Sequence, residues 1–215
     1  MLILNLLQTN PLIALTFIAS LVVSITVHEF AHALVGYRLG DPTAKLAGRL
    51  TLDPRAHLDP IGTLALLLVG FGWGKPTPFD PFNLRNIKRD SALIAVAGAA
   101  SNFLLAFVFA LPYLVAYFTG KLNPTINSIY EILSIAILIN LTLGVFNLIP
   151  VHPLDGFKVL AGLLPRDWYH DFIQTERYGI FILLLLLVSG SVGKILFPIV
   201  GRIFSILLPG FIAPF

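Results

Sequence analysis

Long uncharged apolar runs constrain the fold of this chain more than any other feature of its sequence. Four runs approach or exceed the roughly 20 residues that a helix needs to cross a bilayer: Pro11–Tyr37, Ser91–Gly120, Ser128–Asn147 and Tyr178–Gly193. Only 12% of the residues are charged, about half the usual share in a soluble domain. Because lipid offers no hydrogen-bond partners to the backbone, runs of this kind form helices. The sequence therefore predicts an all-α polytopic membrane protein.

Two further segments refine the expected fold to about five transmembrane helices, one of them broken by proline. Ile195–Phe215 is a weaker candidate for a span because Arg202 and several prolines interrupt it. The third long run is expected to break at Pro150–Pro153 and to resume as a short helix at Leu154. A break of this kind is tolerated at membrane depth only where protein or a wet cavity satisfies the backbone.

The connection between the first two long runs is expected to stay on one side of the membrane. Its short apolar run, Ile61–Phe71, has about eleven residues and is too short to cross at 1.5 Å per residue. Leu46–Leu52 alternates loosely between apolar and polar residues, as a strand does. We therefore expect a short re-entrant or β-hairpin segment around residues 46–73.

Basic residues predict the orientation. Eight of the fourteen Lys and Arg residues lie between Arg38 and Arg89, and cytoplasmic loops carry the excess of positive charge. The N-terminus is then outside, and the net charge of +3 is a topology signal that predicts no nucleic-acid partner. We expect a single membrane domain over residues 1–215, with a core of about 11–165 and accessory C-terminal helices over 178–215.

One motif in the first apolar run indicates chemistry. The run Pro11–Tyr37 contains His28-Glu29-Phe30-Ala31-His32, and Glu29 is its only carboxylate. Residues four apart share one face of a helix, so His28 and His32 can bind one metal ion while Glu29 stands beside it as a general base. Ionisable residues are costly in hydrocarbon and usually functional. This motif predicts a metallohydrolase whose site lies within the membrane.

A catalytic zinc site usually has three protein ligands, and the chain has no cysteine. Asp155 stands out because it follows the proline break of an apolar run, and Gly156 permits a close approach beside it. Asp155 could instead cap the helix that starts near Gly156. The metal is favoured once the HExxH motif is considered. The other candidates are Glu131, His57, His152, His170 and the aspartates of the loops.

These residues resemble the site-2 protease family of intramembrane zinc metalloproteases, peptidase family M50. The likeness covers about residues 15–165 and rests on HExxH in the first helix and on N-x-x-P-x-x-P-L-D-G over 147–156. Leu52–Gly62, Gly72–Pro76 and Gly98–Asn102 are also similar to it. No inserted PDZ or CBS domain fits, so the chain looks like the minimal form of the family.

The resemblance implies a role for each residue of the motifs. His28, His32 and Asp155 would bind one Zn²⁺ per chain, and Glu29 would be the catalytic base. Asn102 would be an oxyanion donor or substrate clamp, although an interhelical hydrogen bond explains a membrane asparagine equally well. The family suggests that Asn147 helps to hold the substrate in an extended form.

The expected function is therefore hydrolysis of peptide bonds in single-span membrane proteins or signal peptides. His28 is ten residues from Arg38, which places the site about 15 Å from the cytoplasmic end of the first helix, in the cytoplasmic half of the bilayer. The expected location is a prokaryotic plasma membrane. The alternatives are a non-catalytic membrane protein of the same fold and a zinc transporter or chaperone that uses the same ligands.

Overall fold

A computed structural model describes residues 8–69 and 72–211. The described residues form helices, three short 3₁₀ turns and one isolated β-bridge, without a named strand. In chain order the α-helices are α1 Pro11–Arg38, α2 Thr43–Leu46, α3 Pro60–Val69, α4 Ile87–Phe118, α5 Pro124–Asn147, α6 Asp155–Leu163, α7 Arg166–Gln174, α8 Gly179–Val188 and α9 Ser191–Leu207.

Three helices are long and apolar enough to cross a membrane, namely α1, α4 and α5. They pack against one another, and α6 lies against α4. Each starts with an asparagine that accepts a backbone N–H of the first turn, as N-caps do. Small residues at the contacts let the backbones approach, as is usual in membrane bundles. The predicted all-α fold is confirmed, whereas about five spans remains a prediction.

A hydroxyl group completes the backbone of α4 where proline interrupts it. Pro112 lies inside the helix, and its ring obstructs the regular hydrogen-bond ladder. The Tyr130 hydroxyl enters the gap, accepting from Tyr113 N at 3.1 Å and donating to Phe109 O at 2.9 Å. The two backbone groups that would otherwise pair with each other are thus satisfied from α5, which ties the two helices together.

The proline break after α5 turns the chain back toward the site. α5 ends at Asn147, and α6 begins at Asp155 without a side-chain cap. A Cβ atom on Gly156 would lie 2.2 Å from Leu148 O, far inside van der Waals contact. Only glycine fits at this position, and the close approach that it permits is to the backbone at the end of α5.

The predicted β-hairpin strand over Leu46–Leu52 is wrong. α2 ends at Leu46, and Gly48 turns the chain with φ 70°. The buried Arg49 guanidinium donates to the carbonyl oxygens of Ala56 and Lys75. A side chain thus binds backbone groups that a partner strand would otherwise pair, and among the described residues only the bridge between Leu58 and Gly74 remains.

Helices α7 to α9 form the C-terminal part of the fold. The segments Arg166–Val188 and Ser191–Leu207 meet at an angle of 75°. Together they are long and apolar enough to form one broken span or a re-entrant loop. Gly190 makes the bend with φ 69°, a conformation that glycine adopts without strain. α9 then packs on α5, where Val200, Phe204 and Leu208 are fully buried.

Parts of two predicted segments lie outside the described residues. These are the end of Ile61–Phe71 and the last residues of Ile195–Phe215. The division into a core of 11–165 and accessory helices over 178–215 stays a prediction.

Candidate metal centre

Two turns of α1 and the first residue of α6 bring three potential ligand atoms together. His28 Nε2 and His32 Nε2 are 3.0 Å apart, and Asp155 Oδ2 lies 3.1 Å from the first and 3.2 Å from the second. The two histidines are buried, and the aspartate is nearly so. Of the described residues, these three form the group of His, Asp or Glu that could hold a metal ion.

Hydrogen bonds to α4 determine which imidazole nitrogen carries the proton. His32 Nδ1 is 2.7 Å from Ile94 O, a backbone carbonyl that can only accept. His28 Nδ1 is 2.7 Å from Asn102 Oδ1, which also accepts. Both Nδ1 atoms therefore donate, and both Nε2 atoms keep a lone pair that faces Asp155.

The orientation of the Asn102 amide follows from a second backbone carbonyl. Asn102 Nδ2 donates to Ser24 O at 3.2 Å and to Asn140 Oδ1 at 3.1 Å. Asn140 in turn donates through Nδ2 to Ala136 O at 2.9 Å. Since Ser24 O and Ala136 O cannot donate, neither amide can be flipped, and both side chains are fully buried.

A cation is needed to make this arrangement favourable. Three atoms that carry lone pairs lie within 3.2 Å of one another, and buried Asp155 Oδ2 has no hydrogen-bond donor among the described residues. Ligand atoms around one tetrahedral zinc ion lie roughly 3.3–3.6 Å apart, given bonds of about 2.0–2.2 Å, so a small outward shift of the three atoms would admit the ion. The donor set of two imidazoles and one carboxylate therefore fits Zn²⁺ in both spacing and chemistry.

A glycine on α4 makes room for the histidines. A Cβ atom on Gly98 would lie 2.5 Å from His32 Nε2 and 2.6 Å from His28 Cε1. Both imidazoles thus rest directly on the α4 backbone. The Gly98–Asn102 motif is a weak signal in the sequence, yet one residue supplies the space and the other a hydrogen bond to His28.

The chain between α3 and α4 covers the other side of the site. We call residues 72–86 the strap. Thr77 N donates to Glu29 Oε2 at 2.8 Å, and the Thr77 hydroxyl donates to Glu29 O at 3.1 Å. This backbone contact orients the Glu29 carboxylate, and Glu29 lines the same cavity as His28, His32 and Asp155.

A buried aspartate anchors the strap to the end of α1. Asp41 accepts from Asp80 N at 2.8 Å, from Asn83 Nδ2 at 2.9 Å and from the Thr43 hydroxyl. Burial by itself raises the pKa of Asp41, but these hydrogen bonds outweigh it and hold the pKa below the ordinary 3.8. The strap is therefore attached at both ends, since Lys75 N also donates to His57 O at 2.7 Å.

The remaining candidates lie in different places. Asn147 lines the cavities on both sides of Glu29, and its Nδ2 donates to Leu143 O. His152 Nδ1 faces Glu176 Oε1 at 3.4 Å instead of the ligand group. His57 is fully buried and donates to Thr51 O. Glu131 lines a separate cavity with Tyr113 and Phe211, and His170 is exposed on α7.

The chain is similar to several proteins that are named as putative zinc metalloproteases. The model of peptidase family M50 matches residues 16–189. "Putative zinc metalloprotease YwhC" of Bacillus subtilis is 39% identical over 186 residues, which cover 86% of this chain and 85% of that protein. "Putative zinc metalloprotease Rip2" of Mycolicibacterium smegmatis is 26% identical over 87% of this chain and 72% of its own length. The Rip2 protein of Mycobacterium tuberculosis is 27% identical over 88% and 73%.

No solved structure matches the chain. The family model nevertheless spans most of the sequence, and the relatives cover nearly its whole length. Together with the apolar helices and the group that could hold zinc, these likenesses show the class of protein. The chain belongs to peptidase family M50 and is an integral membrane zinc metalloprotease.

Proposed function

We propose that this protease hydrolyses peptide bonds of single-span membrane proteins or signal peptides inside the bilayer. The observation that carries the proposal is the meeting of His28, His32 and Asp155 within 3.2 Å on helices flanked by apolar spans. We assign these three side chains as the ligands of one Zn²⁺ per chain. The zinc ion, when bound there, supplies a Lewis acid that makes water acidic and polarises a carbonyl group.

Glu29 is the proposed general base. Its carboxylate stands beside His28 in the same cavity and can take the proton of the attacking water through the oxygen that Thr77 leaves free. The same carboxyl group then gives the proton to the leaving amine. Thr77 N–H holds the carboxylate in place, so that little reorganisation is needed at the moment of reaction.

The two asparagines have different proposed roles. Asn147 lines both cavities around Glu29, and we assign it to substrate binding. Asn102 was considered above as an oxyanion donor or substrate clamp, but both amide hydrogens are used by Ser24 O and Asn140. We therefore assign Asn102 to the support of His28, an indirect role in catalysis.

Substrate helices must unwind locally, because their carbonyl groups are engaged in i→i−4 hydrogen bonds. An apolar cavity of about 370 Å³ beside Glu29 offers space for an unwound apolar segment. We place the site in the cytoplasmic half of a prokaryotic plasma membrane, with the N-terminus outside. The strap and the loop after α1 then face the cytosol.

The test compares wild type with Glu29→Gln in detergent, using a single-span substrate and determining zinc in both proteins. Cleavage by wild type alone, with about one zinc in each protein, would support the proposal. Zinc in both proteins without cleavage of a substrate panel would favour a non-catalytic member of the family. Absence of zinc from folded wild type would refute the assignment of the ligands.

A further inference from the structure

Two cavities of different chemistry meet at the proposed site. The first, which we call the apolar cavity, has about 370 Å³ and is lined by Ile25, Trp73, Leu143, Phe146 and Leu183. The second, which we call the lysine cavity, has about 140 Å³; it is the cavity of the proposed metal centre, lined by His32 and Asp155, and its further walls include Thr77, Phe79 and Lys158. The walls of both include His28, Glu29, Pro76, Asn147 and Pro153. A peptide bond at the site would thus place one neighbouring side chain in each cavity.

Lys158 is held in the lysine cavity without an anionic partner in contact. It lies one turn after Asp155 on α6, and its Nζ is 4.3 Å from the centre of the Phe79 ring on the strap. Among residues 8–69 and 72–211, Nζ makes no hydrogen bond and no ion pair within 4.0 Å. An ammonium group has three donors, and removing them from water without acceptors is costly. The aromatic ring compensates only in part.

Three carboxylates lie near Lys158, but none of them forms an ion pair with it. Burial lowers the pKa of Lys158, and Asp155, Glu176 and Glu29 are the carboxylates that favour its charged form. A zinc ion held by the proposed ligands would offset the charges of Asp155 and Glu29, and Glu176 is half exposed and faces His152. In the loaded site the Lys158 ammonium therefore presents a positive charge to the cavity that no neighbour in contact neutralises.

We propose that Lys158 recognises a carboxylate of the substrate next to the scissile bond, while the apolar cavity accepts a large apolar side chain on the other side of that bond. The lysine cavity has about 140 Å³, close to the size that holds a benzene ring, and beside the zinc ion it would admit a carboxylate group from an Asp or Glu side chain or from a free C-terminus. This inference rests on the proposed function and adds a substrate class to it.

The experiment measures binding to zinc-loaded Glu29→Gln protein, so it does not depend on turnover. The probes are Leu-rich single-span peptides in detergent in which one residue, scanned through the four central positions, is Glu, Gln or Lys. A further peptide ends with a free carboxylate at the preferred position. We expect the best Glu peptide to bind about tenfold more tightly than its Gln counterpart, because a charge-assisted contact replaces a neutral one.

Variants of Lys158 in the same background assign the preference to this side chain. Lys158→Gln should make Glu and Gln peptides equal, Lys158→Glu should favour the Lys peptide, and Lys158→Arg should retain the preference for Glu. Lys45→Gln is the matched control, because Lys45 Nζ also lies over an aromatic ring, 4.4 Å from that of Tyr37, but outside both cavities. Zinc content and the unfolding midpoint of each variant show that the site is intact.

The outcomes separate this inference from the proposed function. Equal binding of all peptides would overturn the role of Lys158, even if wild type cleaves them. A preference that survives in Lys158→Gln would overturn it as well. A preference that depends on Lys158, without cleavage by wild type, would support the carboxylate site and refute the proposed cleavage of single-span substrates. Tighter binding of the truncated peptide than of the Glu peptide would identify the C-terminal carboxylate as the group recognised.

Discussion

At the scale of single residues, the site is specified by acceptors that cannot act as donors. Ile94 O fixes the tautomer of His32, and Ser24 O fixes the Asn102 amide that fixes the tautomer of His28. Each of these acceptors allows only one direction for its hydrogen bond, so the Nε2 atoms of both histidines carry no proton and point to Asp155. Replacing groups that orient metal ligands in this way typically costs about 10- to 100-fold in metal affinity.

Replacing Asn102 should weaken zinc binding. Asn102→Leu has a similar volume but leaves His28 Nδ1 without an acceptor, and we expect a loss of about 10- to 100-fold in zinc affinity. Asn140→Leu should cause a smaller loss, because Ser24 O still orients the Asn102 amide. Competition with a chelator measures the affinity.

Ser134→Ala is the control for these two variants, because Ser134 is buried on α5 and its hydroxyl group bonds only to Glu131 O among the described residues. Its zinc affinity should equal that of wild type. If Asn102→Leu lowers the unfolding midpoint of the zinc-free protein but leaves zinc affinity unchanged, Asn102 only holds helices together.

A methyl group at position 98 should displace the proposed ligands His28 and His32. Gly98→Ala places Cβ 2.5 Å from His32 Nε2, so an imidazole or α4 must move and zinc binding should fall by at least about tenfold. Gly36→Ala lies at the same interface of α1 and α4, but its nearest neighbour, Ile94 Cδ1, is 3.6 Å away. That variant should bind zinc normally, and equal zinc content in the two proteins would contradict the steric argument.

At the scale of elements, composition predicts the helices and tertiary contacts decide the rest. α1 begins at Pro11 as expected, because asparagine and proline mark its start, whereas α4 begins at Ile87, before the apolar run, because Asn86 caps it. The loop that replaces the predicted hairpin strand was not predictable from alternation, because Arg49 binds the carbonyl groups of Ala56 and Lys75, which the pattern of apolar residues does not reveal. Thr77 acts on Glu29 through a backbone N–H, which leaves no mark in the sequence.

The attachment of the strap should depend on pH through Asp41. Its pKa lies below the ordinary 3.8, so its stabilising contribution is complete above pH 3.8 and is lost as the pH falls through the lower value of the folded state. Asp41→Asn cannot accept all the hydrogen bonds of the carboxylate and should destabilise the strap by about 1–3 kcal/mol.

Hydrogen exchange at the Thr77 amide measures this effect. Exchange should accelerate in Asp41→Asn. The protection of this amide relative to the unfolded chain should also lose the acid dependence that Asp41 gives it below pH 3.8. Asp53→Asn serves as the control, because Asp53 is an exposed cap that pairs with Arg55 in the same connection. Equal exchange in both variants would show that Asp41 does not anchor the strap.

At the scale of the whole molecule, the bundle combines an apolar exterior with a polar centre. α1 and α4 present large apolar side chains outward, whereas α5 is half buried. His28, Asn102 and Asn140 are buried between these three helices. Buried polar groups at membrane depth are stable only when their hydrogen bonds are completed inside the protein. The packing of these three helices thus determines both how the chain sits in lipid and whether its ligands are arranged.

The proposed orientation can be tested without background, because the chain has no cysteine. Lys121→Cys, in the loop between α4 and α5, should react with a membrane-impermeant maleimide on intact cells. Arg55→Cys, in the connection between α1 and α4, should react only after permeabilisation. Both side chains are exposed, so access depends on the side of the membrane, and the reverse pattern would place the site in the outer half.

The division of the site between distant parts of the chain has a consequence for biogenesis. The HExxH helix is made first, but the acceptors of its histidines belong to Ile94 and Asn102, Asn140 holds Asn102 in turn, and the third proposed ligand is Asp155. A ribosome therefore delivers α1 to the translocon long before α4, α5 and α6 can complete the centre. We expect metal loading to wait for these helices, so that the nascent enzyme is inert while its own segments are still unfolded.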